Sequence, residues 1–150
     1  MSRVSDKLQF HREPAPAKGR TLLELDIPSD LNLKFAYILR AVEALRAQAV
    51  MSPDDQKALE LCLDEAIKNA IVWGNVQDPK KKVKVRLWEE DGRWGFTVSD
   101  QGQGFTTEIL PDYDSEEFLW LDRGRGIYIL LNYASEVAFH DNGRTLLVRA

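Results

Sequence analysis

The chain has 150 residues, of which 44% are apolar and 29% are charged, and its formal net charge at pH 7 is -4. This size and composition are typical of one globular domain with one hydrophobic core. The acidic balance argues against a protein that binds nucleic acid through phosphate contacts, because no basic face offsets it.

The single cysteine, Cys62, excludes an internal disulfide and fits a reducing compartment. The sequence has no apolar run of about 18 residues and no leader segment, which predicts a cytoplasmic protein without a membrane partner. The only soft metal ligands are His11, His140 and Cys62. They are widely scattered along the chain, which disfavours a zinc site.

Residues 1–20 contain prolines, a glycine and mixed charges without periodicity. This composition predicts a flexible arm that precedes a single domain at residues 21–150. The domain opens with an alternating strand, which Pro28 ends. A helix capped by Ser29 or Asp30 is predicted to follow. Its predicted buried stripe is Leu31, Phe35, Ile38, Val42, Leu45 and Ala49.

A second helix is predicted to begin at Pro53, because Ser52 is a favourable N-cap and acidic residues follow in the first turn. Its apolar stripe is Leu59, Cys62, Leu63, Ala66, Ala70 and Trp73. Glu65 and Asn69 lie one turn apart at the margin of this stripe, so a carboxylate and an amide point the same way. Such pairs are common, and the spacing alone favours a structural interpretation over a ligand site.

The hydrophobic period then changes to that of strands, with a strong hairpin signal at Asp91-Gly92. The pairs predicted by this turn are Glu90 with Arg93, Leu87 with Phe96, and Val85 with Val98. This register puts the apolar side chains of both strands on one face of the sheet, and Asp100 falls on the same side. A buried carboxylate needs hydrogen-bond donors, and none is visible nearby in the sequence.

Gly102 and Gly104 follow Asp100 and allow close approaches of the backbone, although a plain glycine turn is the simpler interpretation. The regular hydrophobic pattern is absent at residues 106–122, which indicates a lid, a binding loop or a poorly ordered segment. Core or hairpin packing is preferred for the tryptophans at 73, 88 and 94, and the role of Trp120 in the lid stays open.

The last helix opens on Arg123-Gly124-Arg125-Gly126. Backbone N–H groups and the dipole at a helix N-terminus favour an anion, although Gly124-x-Gly126 alone is a weak signal. A closing hairpin is predicted from strands at 137–139 and 145–148 around a turn at 141–144.

Three motifs in this order and at this spacing resemble the N, G1 and G2 boxes of the Bergerat-fold ATP-binding superfamily. They are Glu65-Ala66-Ile67-Lys68-Asn69-Ala70, Asp100-Gln101-Gly102-Gln103-Gly104-Phe105 and Gly124-Arg125-Gly126-Ile127. That superfamily includes histidine kinases, the Hsp90 chaperone and type II topoisomerases. The small size and short lid look most like the bacterial anti-sigma factor serine/threonine kinases.

The resemblance covers residues 21–149 and implies an α/β two-layer sandwich, in which about three helices cover one face of a mixed, largely antiparallel sheet. It implies that Asn69 coordinates Mg²⁺ through its side-chain oxygen. Asp100 would accept a hydrogen bond from the adenine amino group of ATP. This amino group would be the hydrogen-bond donor that the neighbouring sequence does not supply. Gly102 and Gly104 would let the backbone approach the nucleotide.

The resemblance also implies a phosphate site at Gly124, Arg125 and Gly126. Glu65 matches the position of the proposed general base in the family's kinases, which accepts the proton of a substrate hydroxyl. Arg123 or Arg125 would stabilise charge in the transition state, with a surface arginine as an equal alternative.

The leading hypothesis is therefore a cytoplasmic ATP-dependent protein serine/threonine kinase that acts as an anti-sigma switch. By family resemblance, its substrate would be a STAS-type anti-anti-sigma protein and its other partner a sigma factor. The alternative is a non-catalytic nucleotide-binding module that sequesters a partner, and the presence of Glu65 favours the kinase. A histidine-kinase catalytic domain is a third alternative, which the sequence favours less. Family members often dimerise, so a homodimer is also considered, although the sequence shows no diagnostic interface.

Overall fold

The structure, a computed structural model, describes residues 8–48, 51–104 and 122–150, with side chains from residue 125 onward in the last range. Within these ranges the strands are β1 (Leu8–Phe10), β2 (Arg20–Pro28), β3 (Lys82–Glu90), β4 (Arg93–Ser99), β5 (Glu136–His140) and β6 (Thr145–Arg149). The helices are α1 (Lys34–Gln48), α2 (Pro53–Asn69) and α3 (Asp122–Tyr133), and a π-helical turn, Ala70–Gly74, continues α2.

The described strands form one sheet in the order β1-β5-β6-β4-β3-β2, and among them only the β1–β5 pair is parallel. All three helices contribute to the hydrophobic core on one face of this sheet. The predicted two-layer α/β sandwich with a largely antiparallel sheet is therefore confirmed. Among the described helices, none combines the length and the apolarity needed to cross a membrane.

The β3–β4 hairpin has the predicted register. Its turn is Asp91-Gly92, and both residues have positive φ, 53° and 78°, as a type I′ turn requires. The observed pairs are Glu90 with Arg93, Leu87 with Phe96, and Val85 with Val98. The apolar members of these pairs are buried in the core beneath the helices. This register carries the chain to Asp100 at the end of the sheet where the candidate site lies.

Strand β1 lies within the segment that the sequence predicts as an arm, so this strand was not predicted. Three residues are too few to show an alternating pattern, so only the pairing with β5 reveals it. The pairing continues beyond the strand, where the His11 N–H donates to the Phe139 carbonyl at 2.8 Å and the Asp141 N–H donates to the Glu13 carbonyl at 2.7 Å.

The chain then crosses the face of the sheet that the helices leave open. On this outer face, the Arg86 guanidinium donates to the Lys18 carbonyl at 2.9 Å. Gly19 lies over the Trp88 ring with a φ of +62°, and a Cβ at this position would come within 2.6 Å of the ring. Trp88 is therefore fully buried, as predicted, but under the N-terminal segment and not in the main core.

The N-cap of α2 and its apolar stripe were predicted correctly, except at the C-terminal end of the stripe. Helix α1 differs more from its prediction. Ser52 caps α2 and accepts from the Asp55 N–H at 3.1 Å. Helix α1 begins only at Lys34, and Leu31 precedes it. Phe35, predicted to be buried, is 64% exposed. Its first-turn position lies at the margin of the buried face, which is made by Ile38, Ala41, Val42 and Leu45.

His140, at the end of β5, stacks on His11 with 4.6 Å between the ring centroids. Burial and the neighbouring His11 lower the pKa of His140 from its ordinary value of 6.5. Between the two pKa values, His140 therefore binds a proton in the unfolded chain but not in the native protein. The corresponding stability is fully present above pH 6.5 and is lost as the pH falls through the lower native pKa.

We therefore expect the free energy of unfolding to fall as the pH is lowered from 7.5 towards 5.5, a window of about one unit on either side of the ordinary histidine pKa. Urea unfolding at several pH values measures this dependence. His11→Gln removes one cause of the shift and should make the dependence on pH shallower. An unchanged dependence in this variant would contradict the role of the stacked pair.

Candidate functional site

A cavity of about 390 Å³ lies where the end of α2, the loop after β4 and the β5–β6 turn meet. Its walls are formed by Asn69, Trp73, Gly74, Val76, Lys81, Asp100, Gly102, Gln103, Gly104 and Gly143. Four residues that the sequence singled out therefore converge on one space: Asn69, Asp100, Gly102 and Gly104. Asn69 ends α2 and the other three lie in the loop after β4, so packing of this helix on the sheet brings the two segments together.

Asn69 is the last residue of α2, and it lines the cavity. Its Oδ1 atom is buried and accepts no hydrogen bond from any residue that the structure describes. An unsatisfied buried acceptor costs about 1–3 kcal/mol. Amide oxygen is also a hard ligand of the kind that Mg²⁺ prefers. The position and chemistry of this atom therefore fit a bound cation.

Asp100 lies against the end of the π-helical turn. Its Oδ1 accepts from the Gly102 N–H at 2.8 Å. A Cβ at Gly74 would collide with the Asp100 carboxylate, and a Cβ at Gly102 would collide with the Gly74 carbonyl oxygen. Both glycines are needed for the loop to approach the helix this closely. The role of Gly74 could not be predicted from the sequence, because a glycine after a helix is equally typical of a C-terminal cap.

The β5–β6 turn holds the same loop from the other side. The Asp100 N–H donates to the Arg144 carbonyl at 2.9 Å. The Arg144 guanidinium donates through Nε to the Gly102 carbonyl at 3.0 Å and through Nη2 to the Gln103 carbonyl at 3.1 Å. Gly104, with a φ of +75°, packs on the Asn142 carbonyl. No local pattern in the sequence identifies Arg144 as an anchor, because its partners lie about forty residues away.

Glu65 and Gly126 face each other across a narrow cleft between α2 and α3. A Cβ at Gly126 would lie 2.7 Å from the Glu65 Oε2 atom, so glycine is what allows α3 to approach the carboxylate. The cleft is lined by Glu65, Lys68, Asn69, Trp73, Gly126, Ile127 and Leu130. Asn69 and Trp73 line both the cleft and the larger cavity, whereas Glu65 lines only the cleft.

The remaining candidate residues for the site are Arg123, Gly124, Arg125 and Trp120, and the structure describes less of their surroundings. Arg125 is exposed and lines neither the cavity nor the cleft. Gly124 lies within α3. The surroundings of Arg123 and Gly124 fall outside the described side chains, and Trp120 with residues 106–121 of the predicted lid lies outside the described residues.

Trp73 was predicted to pack in the core, and this prediction is wrong. Its side chain is 47% exposed and lies at the mouth of the cavity. It belongs to the π-helical turn Ala70–Gly74. A π turn holds more residues than an α turn, so it rotates Trp73 away from the α-helical stripe. Trp94, by contrast, is buried as predicted.

Cys62 lies on the buried face of α2, three residues before Glu65. Burial, with a smaller contribution from the Glu65 charge, raises the pKa of the Cys62 thiol to about 12. Since the thiolate is the reactive form, a maleimide at pH 8 should label the native protein at least about 100-fold more slowly than the protein in denaturant. Cys62→Ser is the control and should not be labelled in either state. Equal labelling rates in the two states would contradict the buried assignment.

Most of the chain is similar to one known protein family. Residues 27–150 match the histidine kinase-like ATPase domain family. An anti-sigma F factor from Geobacillus stearothermophilus is 32% identical over 113 residues, which cover 71% of this chain and 73% of that protein. Chaperone protein HtpG from Rickettsia rickettsii (strain Sheila Smith) is 40% identical over 57 residues, which cover 37% of this chain but only 9% of the chaperone.

Proposed function

Because the chain belongs to the family of histidine kinase-like ATPase domains, we propose that it is an ATP-dependent protein serine/threonine kinase that acts as an anti-sigma switch in the cytoplasm. Its proposed substrate is a STAS-type anti-anti-sigma protein, and its other partner is a sigma factor. Similarity to an anti-sigma F factor over most of both chains supports this proposal. Residues 21–150 form the proposed ATP-binding domain.

The observation that carries the proposal is the Asn69 Oδ1 atom, a buried acceptor that has no partner among the described residues. Asn69 would hold Mg²⁺ at the cavity wall, where the bound ion would neutralise charge on the phosphates of ATP. The cavity volume of about 390 Å³ lies within the range of about 300–1,000 Å³ that is usual for small-molecule sites.

Asp100 and the glycines around it are the proposed adenine site. The Asp100 carboxylate, oriented by the Gly102 N–H, would accept a hydrogen bond from the adenine amino group. Gly102 and Gly104 let the loop pack closely on the Gly74 and Asn142 carbonyl oxygens, and this packing would hold Asp100 at the cavity wall beside the base. Trp73 at the mouth of the cavity would pack on the nucleotide with its exposed ring.

Glu65 is the proposed general base. It lies one turn from Asn69 on α2, in the cleft next to the cavity. In transfer of the γ-phosphoryl group to a substrate serine or threonine, the Glu65 carboxylate would take the hydroxyl proton while the bond from the γ-phosphorus to the bridging oxygen breaks and ADP leaves. The phosphates would lie towards Gly124 and Gly126 at the start of α3. Arg125 is proposed as a charge partner of the transition state, with a plain surface role as the alternative.

Phosphate transfer to a purified STAS protein tests the role of Glu65. We expect Glu65→Gln to lower transfer by about 100-fold or more, because the amide has the same shape but cannot accept the proton. ATP affinity should change little, since Glu65 does not line the cavity. Glu60→Gln on the same helix, where Glu60 pairs with Lys57 at 4.0 Å, is the matched control. Undiminished transfer by Glu65→Gln would remove this residue from the mechanism.

A second candidate is a nucleotide-binding module that sequesters its partner without phosphorylating it. The packing of Glu65 against Gly126, outside the larger cavity, favours this alternative. Capture of a sigma factor that requires ATP, with no phosphoprotein formed from any STAS protein tested, would support it. Transfer of radiolabelled phosphate that depends on Glu65 would exclude it.

A further inference from the structure

Asn75 follows the π-helical turn directly and is fully buried. Its Nδ2 group donates to the Ser29 Oγ atom at 2.9 Å and to the Lys82 carbonyl at 3.0 Å. Its Oδ1 accepts from the Gln101 N–H at 2.7 Å. Both amide donors and the acceptor are therefore used, which is what makes complete burial of this polar side chain tolerable. One side chain thus joins the end of β2, the start of β3 and the loop after β4.

The bond to Gln101 acts on the loop that carries Asp100. Gln101 follows Asp100 directly, and its own side-chain oxygen accepts from the Lys82 N–H at 2.6 Å. Asn75 in turn follows Gly74, whose α-carbon faces the Asp100 carboxylate. Asn75 therefore ties the helix end to the loop at the point where the two cavity walls meet, although Asn75 itself does not line the cavity.

The loop has a second set of contacts on the opposite side, through Arg144. If the bond from Asn75 were lost, the Arg144 contacts and the bond between Gln101 and Lys82 would keep the loop on the sheet, but neither reaches the helix end at Gly74. Asp100 would then move relative to the helix end. A hydrogen bond weakens steeply with a poorer distance or angle, so a small displacement would be enough to lose recognition of a ligand group.

We propose that Asn75 is a positioning residue that holds the Asp100 carboxylate in place for recognition of the adenine amino group. The inference rests on the proposed function, because it needs Asp100 to read the base. It predicts an effect on base selectivity, which a merely stabilising residue would not produce. A loss of stability alone would weaken the binding of all nucleotides in the same proportion.

Calorimetric affinities for ATP and for inosine triphosphate, which lacks the amino group, test the proposal at temperatures well below the unfolding transition. In Asn75→Ala we expect the preference for ATP to fall by about tenfold or more, the worth of one hydrogen bond to a charged group. The affinity for inosine triphosphate should change little. Ser29→Ala is the matched control: it removes one bond of Asn75 but leaves the bond to Gln101, so the unfolding temperature should fall while the preference for ATP stays.

An unchanged preference for ATP in folded Asn75→Ala would overturn the proposal, and so would an equal loss of affinity for both nucleotides. If Asn75→Ala does not fold, amide hydrogen exchange in the unmodified protein decides instead. The Gln101 amide should then exchange slowly, because Asn75 holds it, and exchange at the rate of an open loop would overturn the proposal. An unmodified protein that does not prefer ATP would overturn the proposed role of Asp100, which is a separate failure.

Discussion

Replacement of Asn69 by alanine is expected to lower the affinity for Mg²⁺-ATP by about 100-fold or more, because loss of a metal ligand removes several kcal/mol of charge stabilisation. The affinity for ATP measured in the presence of a chelator should change much less, since Asn69 is proposed to act through the ion. Titration calorimetry with and without Mg²⁺ measures both values. Phosphate transfer should be lost together with the Mg²⁺-dependent affinity.

The same variant is expected to leave the free protein at least as stable as the unmodified one. The buried Asn69 Oδ1 atom has no hydrogen-bond partner among the described residues, so its removal relieves a cost of about 1–3 kcal/mol. Urea unfolding in the absence of nucleotide measures this change. Lower stability of the free variant would mean that Asn69 has a structural role in the fold, contrary to the proposal.

Two further variants control the Asn69 experiment. Asn69→Asp keeps an oxygen ligand of the hard type, so Mg²⁺ dependence should be retained in part. Asn132→Ala removes an exposed asparagine whose side chain donates to the Tyr128 carbonyl of the same helix, and it should bind nucleotide normally. An Asn69→Ala protein that binds Mg²⁺-ATP as tightly as Asn132→Ala would contradict the metal assignment.

Gly102→Ala is expected to have the second large effect, a loss of ATP affinity of about tenfold or more together with a loss of about 1–3 kcal/mol of stability. The new Cβ would collide with the Gly74 carbonyl oxygen. Because the obstacle is backbone, the collision is relieved only if the loop and the helix end move apart. That movement would carry Asp100 out of place. Calorimetry and urea unfolding measure the two effects.

Gly92→Ala is the matched glycine control. Gly92 has a φ of +78°, and a Cβ there would meet nothing within 4 Å. Alanine in this left-handed conformation costs about 1–2 kcal/mol without any collision. The variant should therefore lose stability but bind ATP normally, since it lies in the β3–β4 turn. If Gly92→Ala lost as much ATP affinity as Gly102→Ala, reduced stability alone would explain both results.

Local sequence patterns correctly predicted the elements whose structure depends on residues close together in the chain. The β3–β4 register followed from the Asp91-Gly92 turn and strict alternation, and it placed Asp100 at the correct end of the sheet. The start of α2 followed from Ser52 and Pro53, whose capping chemistry is local. Spacing along α2 placed Asn69 at the margin of the apolar stripe, but only the resemblance of the three motifs marked it as a site residue, and it lines the cavity in the structure.

The wrong predictions share one physical cause, which is that periodicity assumes a regular element and a partner surface along its whole length. Phe35 continues the stripe of α1 but lies at its margin in the first turn, where it stays 64% exposed. Trp73 continues the stripe of α2 until the π-helical turn changes the rotation. Strand β1 was missed for a separate reason, because it has too few residues for any period and is visible only through its pairing with β5.

By itself, the sequence determined the chemistry available to the site and the local elements that present it: an amide and a carboxylate on one helix, a carboxylate and two glycines after a strand, and a glycine pair in the last helix. Only the tertiary structure decided how these groups are held. Asn75 reaches Gln101 across 26 positions, and Arg144 reaches Gly102 across 42. Such contacts leave no periodic trace, because they depend on which strands become neighbours and on how closely a bare glycine backbone lets them approach.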